Sequence, residues 1–511
     1  MEDKKRLSIN LFAQIFAFAV GFIINFLLTP FVIKKLGTEA YGFIGLANNF
    51  VSYTSLITIA LNSMAARFIT ISFHKGDIET AKKYFSSVYY SNLFLSIIIV
   101  LFAIFTVVFL NYIIHIPNEL VWDVKSLFGL TFLNSVIALT SNVYMIATFV
   151  RNRLDLSSLR NIVSNLLRVV FVVLPFLLFK PHLWYYGISA LVATLFIVIS
   201  NRLLTKSLLS DFTINKSLFD FKLVKELIFS GGWNLLTKLS QVLSTGLDLL
   251  IANLFINAIA MGTLSISKTI PTVILSLCGS MAAVFAPKLT ELYARGKIDA
   301  LQNELLNNIR IMGLFSVLPL VIFLVLGKDF FHLWVPTQDS HVLYILSSIT
   351  VCSLLIAVPQ ESLWNIFTIT NKVKISSVNI FLVNFLIMII IIICFYCFDN
   401  EYYKLISIVM ARFIGEVICS LTFLPIYGAK CLNLKWYYFY PLIFKNLFLS
   451  IIAIVCFLLL KKYFVINNWG NFIVLATLMC VITIILLSFF ILNKSQKKKL
   501  IYLIKERYLA N

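Results

Sequence analysis

Cysteine, histidine and acidic residues are scarce in this chain, and their scarcity argues against most kinds of catalytic or metal site. All eight cysteines lie from Cys278 onward, and Cys394 and Cys397 form a CxxC pattern inside an isoleucine-rich segment with no histidine nearby. Such a pair is more typical of helix packing than of a metal or redox site. The five histidines have no metal-ligand spacing, and the chain has no Walker A pattern for nucleotides. We therefore predict a protein that is not an enzyme and that has no metal and no cofactor.

Charged residues are also few, at 13% of the 511 residues, whereas 60% are hydrophobic and the mean hydropathy is +0.95. This composition is typical of a polytopic membrane protein. The net charge of +20 comes mostly from Lys and Arg on segments that fall in the cytoplasm when the N-terminus is placed there. This is the positive-inside bias of membrane proteins. The basic charge therefore predicts no nucleic-acid partner, and both termini are expected in the cytoplasm.

The apolar runs predict an all-α polytopic membrane protein with about 14 transmembrane helices. Helices one to six form a first lobe (1–204), which a polar linker (205–226) in the cytoplasmic interface follows. Helices seven to twelve form a second lobe (227–427), and two further helices (428–492) precede a basic cytoplasmic tail (493–511).

An internal repeat at a shift of about 220 residues relates the two lobes. The segment Phe73–Glu79 aligns with Tyr293–Asp299, and Asn152–Ser158 aligns with Asn371–Ser377. Because the shift spans six helices, an even number, the halves have parallel topology. We therefore expect two pseudo-symmetric six-helix lobes around a central cavity.

The seventh apolar run, residues 227–256, carries a line of polar groups that recur every three or four residues. These are Asn234, Lys238, Gln241, Thr245 and Asp248. The spacing predicts one polar stripe along a helix. A charge at bilayer depth costs about 2.5–3.5 kcal/mol on insertion scales, so the stripe is expected to line a wet cavity. Helix one has a sparser stripe in which Asn25 corresponds to Thr245. The alternative is a polar face that joins helices together.

Two lysines inside apolar runs, Lys238 and Lys268, suit an anionic ligand such as a phosphate or pyrophosphate. A structural pairing of Lys268 with Asp248 is the competing interpretation.

Four other charged residues lie within the apolar runs, and the sequence predicts different roles for them. Arg412 and Glu416 lie one turn apart and are expected to neutralise each other. Arg168 and Glu361 show no evident partner in the sequence, and Arg168 is long enough to snorkel towards the cytoplasmic interface.

Several short motifs resemble the multidrug/oligosaccharidyl-lipid/polysaccharide (MOP) exporter superfamily. Within it, the chain most resembles the polysaccharide-biosynthesis flippases that move O-antigen or capsule repeat units. The resembling features are Pro30, Leu36-Gly37, Tyr41-Gly42, Lys75-Gly76-Asp77, the Asp248 region, Phe285-Ala286-Pro287, Tyr293, Gly296 and the turn from Gly327 to Trp334. Ile256-Asn257-Ala258 departs from the Leu-Gly pattern that relatives show at that point.

The resemblance implies two six-helix lobes and two extra helices that work by alternating access in a bacterial cytoplasmic (inner) membrane. The substrate would be an undecaprenyl-pyrophosphate-linked oligosaccharide, moved from the inner to the outer leaflet. An H⁺ or Na⁺ gradient or the membrane potential would supply energy, with Asp248 or Glu361 as the coupling carboxylate. The candidate substrate-binding residues are Lys238, Lys268, Asn25, Gln241, Thr245 and Arg168.

Partners would be the lipid-linked oligosaccharide, membrane lipids and the polysaccharide polymerase or export machinery, with the transporter itself monomeric. A flippase for the lipid precursor of peptidoglycan and a multidrug or cation antiporter remain open as alternatives. A membrane glycosyltransferase or polymerase is the alternative outside transport, although no large loop carries clustered carboxylates.

Overall fold

The computed structural model describes residues 2–151 and 153–491, which form long helices joined by short turns. The predicted tail 493–511 lies outside the described residues. The first seven helices are numbered in chain order, and two of them are interrupted. They are α1 (Glu2–Leu36), α2 (Thr38–His74), α3 (Ile78–Val108), α4 (Val121–Ser141, a 3₁₀ segment Asn142–Met145, and Ile146–Val150), α5 (Leu154–Leu178), α6 (Trp184–Leu208) and α7 (Phe221–Gln241, a π-helical turn Val242–Gly246, and Asp248–Phe255).

The remaining helices follow the same pattern, with interruptions in α10 and α12. They are α8 (Ala258–Ala294), α9 (Ile298–Trp334), α10 (Ser340–Ala357, a 3₁₀ segment Val358–Leu363, and Trp364–Ile369), α11 (Val373–Cys397), α12 (Glu401–Ile418, a π-helical turn Cys419–Phe423, and Leu424–Cys431), α13 (Tyr440–Lys461) and α14 (Trp469–Ile491). Among the described residues, 13 helices are long and apolar enough to span a membrane, or 14 if the bent parts of α7 form one span. The prediction of an all-α polytopic membrane protein with about 14 spans is confirmed.

The helix bounds repeat at the interval that the sequence repeat predicts. Helices α2 and α8 both have 37 residues, and their first residues, Thr38 and Ala258, are 220 positions apart. Gly76 and Gly296, also 220 positions apart, follow these helices with φ angles of 82° and 67°. That left-handed conformation is accessible to glycine at little cost. Helices α4 and α10 are each interrupted by a 3₁₀ segment near their C-terminal ends, so the repeat extends to irregular backbone.

Contacts divide the chain into two compact units, residues 1–265 (unit 1) and 266–511 (unit 2). Helix α7, which the repeat assigns to the second lobe, packs along α2 within unit 1. The predicted lobes divide the chain at the linker because they follow the sequence repeat, whereas the compact units divide it after residue 265. The lobe boundaries stay a prediction.

The predicted linker, residues 205–226, is anchored in unit 1 through its side chains and its backbone. Phe212 is buried in a core with residues of α2, α3, α4 and α7, and its ring centroid lies 5.6 Å from that of Phe85. The backbone N–H groups of Asn215 and Asp220 donate to the hydroxyls of Ser86 and Ser87 at 3.3 and 2.9 Å. The linker therefore ties the start of α7 to α3.

Unit 2 is organised around α9, which contacts α10, α13 and α14. Its main core joins Ile309 of α9, Leu363 of α10, Leu424 of α12 and Ile443 of α13. Helix α13, one of the two extra helices, is therefore part of the packed core of unit 2.

We expect Gly231→Ala to destabilise the protein, because a Cβ at this position would lie 1.9 Å from the carbonyl oxygen of Ala60 in α2. Separating two packed backbones costs about 1–3 kcal/mol. Gly232→Ala is the matched control, since a Cβ there meets nothing within 4 Å and alanine favours a helix over glycine. Thermal unfolding of the purified variants measures both. Equal melting temperatures for the two variants would contradict the close packing of α7 on α2.

Single cysteines in a variant without the eight native cysteines test the predicted orientation. We expect a membrane-impermeant thiol reagent to label positions 118 and 400 from outside the cell. It should label position 75 only after the cytoplasmic side is opened. The reverse pattern would overturn the predicted orientation of the termini.

Candidate functional site

Helix α7 bends by 41° where its two parts meet. The amide of Leu247 bonds to the carbonyl of Val242 at 3.0 Å, which closes the π-helical turn. The carbonyl oxygen of Gly246 accepts two bonds from α2, from Asn49 Nδ2 at 2.9 Å and from Tyr53 Oη at 2.6 Å. A backbone group released by a break inside a membrane requires such partners, so these two side chains stabilise the bend.

Asp248 is the first residue after this bend, and it is only 1% exposed. It begins the second part of α7, where a carboxylate interacts favourably with the helix dipole. Its charge is close enough to the Tyr53 hydroxyl for the two groups to interact electrostatically. The structure thus places the coupling candidate Asp248 beside irregular backbone in unit 1, an arrangement that transporters use to bind ions.

The two candidate anion-binding lysines lie in different compact units. Lys238 is half-buried in the last turn of the first part of α7, in unit 1, and Lys268 is half-buried in α8, in unit 2. Their action as one anion-binding pair remains a prediction.

The remaining polar positions predicted on α1 and α7 have exposed side chains, namely Asn25, Gln241 and Thr245. Asn25 Nδ2 donates to the carbonyl of Gly21 at 2.8 Å, and Thr245 Oγ1 donates to the carbonyl of Gln241 at 3.1 Å. Both bonds lie within one helix and therefore leave these side chains accessible. Whether they line a cavity stays a prediction.

Arg168 of α5 has a partner that the sequence did not indicate. Its Nη2 donates to the hydroxyl of Tyr186 in α6, and its guanidinium lies 4.6 Å from the centroid of the same ring. The side chain therefore packs on Tyr186, near the start of α6, and its snorkelling towards the cytoplasmic interface stays a prediction.

The charged candidates of unit 2 gather near the interruptions of α10 and α12. Glu361 lies in the 3₁₀ segment of α10, close enough to Glu416 of α12 for their charges to interact. Glu416 accepts from Ser420 Oγ at 3.4 Å, while Arg412 Nη1 donates to Asn384 Oδ1 at 3.3 Å. The expected neutralisation of Glu416 by Arg412 stays a prediction. Within the described residues, no group of three or more His, Cys, Asp or Glu could hold a metal ion.

Comparison with known proteins places this architecture in a family. Residues 4–293, more than half of the chain, match the family described as Polysaccharide biosynthesis protein. The chain belongs to the polysaccharide biosynthesis protein family. This member is 27% identical to the "Uncharacterized membrane protein EpsK" of Bacillus subtilis (strain 168) over 478 residues, which are 92% of each chain.

Two solved structures show the fold that this polysaccharide biosynthesis protein adopts. An inward-facing multidrug resistance MATE family transporter of the MOP superfamily matches with a TM-score of 0.66 at 14% identity, over 84% of this chain and 97% of that one. Lipid II flippase MurJ in an inward closed conformation matches with a TM-score of 0.63 at 16% identity, over 94% of this chain and 97% of that one. The chain therefore has the fold of a MATE transporter of the MOP superfamily, and its predicted membership in the polysaccharide biosynthesis protein family is confirmed.

Sequence reasoning missed Asn49 and Tyr53, the residues that hold the bend of this family member. Their i,i+4 spacing places both on one face of α2, and that spacing was the available signal. This spacing does not stand out in the sequence, because several other polar residues precede and follow the two in the same helix.

We expect the double variant Asn49→Leu, Tyr53→Phe to lose more stability than the two single variants together. Either remaining donor can satisfy the Gly246 carbonyl alone, whereas losing both leaves it unpaired, at a cost of about 1–3 kcal/mol. Asn48→Leu, at an exposed position of α2, is the control. A double-mutant cycle on thermal unfolding measures the coupling, and strictly additive effects would show that the carbonyl does not depend on these donors.

Proposed function

We propose that this protein is a flippase for an undecaprenyl-pyrophosphate-linked oligosaccharide, the repeat unit of a surface polysaccharide such as O-antigen or capsule. It moves the repeat unit from the inner to the outer leaflet of a bacterial cytoplasmic membrane by alternating access. Membership in the polysaccharide biosynthesis protein family supports the substrate class. The fold similarity to MurJ, which is described as a lipid II flippase, supports transport of a lipid-linked glycan.

The proposed anion site consists of Lys238 and Lys268, with Arg168 as a further cation. A pyrophosphate offers strong hydrogen-bond acceptors, and each charge-assisted bond from lysine contributes about 1.5–3 kcal/mol. Asn25, Gln241 and Thr245 supply exposed amide and hydroxyl groups that suit sugar hydroxyls. The lipid tail stays in the bilayer in this proposal, so only the headgroup needs polar partners.

The observation that carries the transport proposal is the buried carboxylate of Asp248 next to the bend of α7. A buried ionised carboxylate is unfavourable unless it is neutralised or paired. Binding of H⁺ or Na⁺ would change the charge at this position, next to the bend, and in this proposal that change couples an ion gradient to movement. Glu361, near Glu416 in unit 2, is the second coupling candidate.

A flippase for the lipid precursor of peptidoglycan is the second candidate function. The fold similarity to MurJ extends over 94% of this chain, including a region beyond that matched by the multidrug transporter. Both substrates are lipid pyrophosphates, so cationic residues suit either one. Expression in cells depleted of their peptidoglycan-precursor flippase separates the two: restored growth favours this candidate, and restored surface polysaccharide in flippase-deleted cells favours the first.

We expect Lys238→Gln and Lys268→Gln each to reduce translocation while leaving the amount of folded protein unchanged. Losing one charge-assisted contact weakens ground-state binding by about 1.5–3 kcal/mol, roughly ten- to a hundredfold in affinity. The measurement is surface-exposed glycan per unit of folded protein. Lys222→Gln, at an exposed position at the start of α7, is the matched control.

Two results would contradict this proposal. Normal translocation by both lysine variants would remove the anion site. A loss of abundance or thermal stability in Lys268→Gln, recovered when Asp248→Asn is added, would assign Lys268 to a structural pair with Asp248.

Asp248→Asn alone should abolish the dependence of translocation on the ion gradient, and an unchanged dependence would leave Glu361 as the coupling candidate.

A further inference from the structure

A group of buried polar side chains lies in unit 2 between α9, α10 and α13, outside the residues assigned to transport. Its members share full burial and polar atoms that have no hydrogen-bond partner among the described residues. They are Asn308 and Ser316 of α9, Gln360 and Ser362 of the 3₁₀ segment of α10, and Asn446 of α13. We call these five residues the polar layer. The three elements that carry them contact one another in every pairing.

The position of the polar layer follows from the apolar core beneath it. Ile309, Leu363 and Ile443 belong to one packed cluster of α9, α10 and α13. Helices α9 and α13 run in the same direction, and α10 runs in the opposite direction. Gln360 lies about one turn before Leu363 on α10, and Asn446 lies about one turn after Ile443 on α13, so both lie on the same side of the cluster. The amide of Asn446 rests on Gly313 of α9, one turn after Ile309, where an ideal Cβ would lie 2.5 Å from Asn446 Nδ2.

Seven polar atoms in this layer have no partner among the described side chains and backbone groups. They are Asn308 Nδ2 and Oδ1, Ser316 Oγ, Gln360 Oε1, Ser362 Oγ, and Asn446 Nδ2 and Oδ1. Each buried group left without a hydrogen bond costs about 1–3 kcal/mol. A whole protein is stable by only about 5–15 kcal/mol. Each of these atoms therefore requires a polar ligand that the described protein groups do not supply.

At the corresponding interruption in unit 1, that of α4, the buried amide groups bond directly to one another. The interruption of α4 begins at Asn142, whose Nδ2 donates to Asn62 Oδ1 at 3.2 Å. Asn62 and Asn92 exchange two further amide bonds, at 2.9 and 3.0 Å. The residues 220 positions after Asn142 and Asn92 are Ser362 and Met312. Their shorter or apolar side chains cannot close this network by direct amide bonds.

The mixture of donors and acceptors identifies the ligand. Asn308 Nδ2 and Asn446 Nδ2 are obligate donors, whereas the Oδ1 and Oε1 atoms are acceptors. A cation would satisfy the oxygens and repel the two amide nitrogens. Water donates to the oxygens and accepts from the nitrogens, typically with about three hydrogen bonds per buried molecule.

We infer that unit 2 binds a small cluster of internal water molecules in the polar layer between α9, α10 and α13. These waters link the extra helix α13 to the interrupted segment of α10, which also carries Glu361. This inference does not rest on the proposed substrate or on transport, because it follows from burial and hydrogen bonding alone.

Met312 offers a direct test, because it lies between Asn308 and Ser316 on one face of α9 and is fully buried. X-ray radiolysis splits a bound water into a hydrogen atom and a hydroxyl radical. The radical adds to the sulfur of a neighbouring methionine, and dissolved oxygen removes the second electron, which leaves the sulfoxide. We expect Met312 to be oxidised in the purified full-length protein at doses that leave Met261 and Met479 unmodified. Both control methionines are fully buried, so solvent access alone does not distinguish them. Mass spectrometry of the peptides gives the extent of oxidation at each site.

Substitutions of two buried serines in unit 2 test whether the oxidation of Met312 depends on the polar layer. Ser316→Ala removes a polar-layer hydroxyl and should cause a loss of Met312 oxidation. Ser353→Ala is the control, because Ser353 is also buried but donates to the carbonyl of Thr350 at 2.8 Å in its own helix, and it should leave Met312 oxidation unchanged.

Two outcomes would overturn the inference. If wild-type Met312 is as unreactive as Met261 and Met479, the polar layer is dry. If Na⁺ in place of choline, at constant ionic strength, protects Met312 and raises the melting temperature, the layer binds a cation instead of water. Neither outcome affects the transport proposal, whose test is translocation.

Discussion

A helix that is interrupted inside a membrane must find polar partners within the protein, because lipid offers none. Two π-helical turns of this protein meet that requirement in similar ways. The carbonyl of Gly246, in the turn of α7, accepts from the hydroxyl of Tyr53. The carbonyl of Leu421, in the turn of α12, accepts from the hydroxyl of Tyr440. In each unit, a tyrosine from a neighbouring helix stabilises irregular backbone, and a carboxylate, Asp248 or Glu416, lies within a turn of it.

The 3₁₀ interruptions of α4 and α10 show how the two units have diverged from one pattern. In unit 1, Asn62, Asn92 and Asn142 bond directly to one another. In unit 2 the amides belong to α9, α10 and α13, and their buried atoms do not reach one another. The water cluster that we infer would join these helices in unit 2, next to Glu361, where unit 1 uses direct bonds.

Periodicity and composition were sufficient to predict the helices, their number and their repeat, because these depend on local hydrophobicity. The 220-residue shift even holds for the bounds of α2 and α8. The bend of α7 was not predictable in this way, since it depends on Asn49 and Tyr53, almost 200 positions away in the chain. Partners such as Tyr186 for Arg168 escaped prediction for the same reason. Which side chains pair depends on how the helices pack against one another. A single sequence carries little information about that packing.

The polar stripe of α7 shows why periodicity alone does not assign function. In the sequence the stripe is one line of equivalent polar positions. In the folded protein these residues differ in burial and in hydrogen-bond partners. Asn234 Nδ2 donates to Ser63 Oγ of α2 at 3.0 Å, so this end of the stripe holds helices together. Gln241 and Thr245 are exposed, and Asp248 is buried beyond the bend. The two interpretations of the stripe therefore apply to different parts of it: packing before Lys238, and accessible polar groups at Gln241 and Thr245. The bend separates that accessible part from the carboxylate, so in the proposed mechanism an ion at Asp248 would act on ligand binding through the backbone conformation of Val242–Gly246.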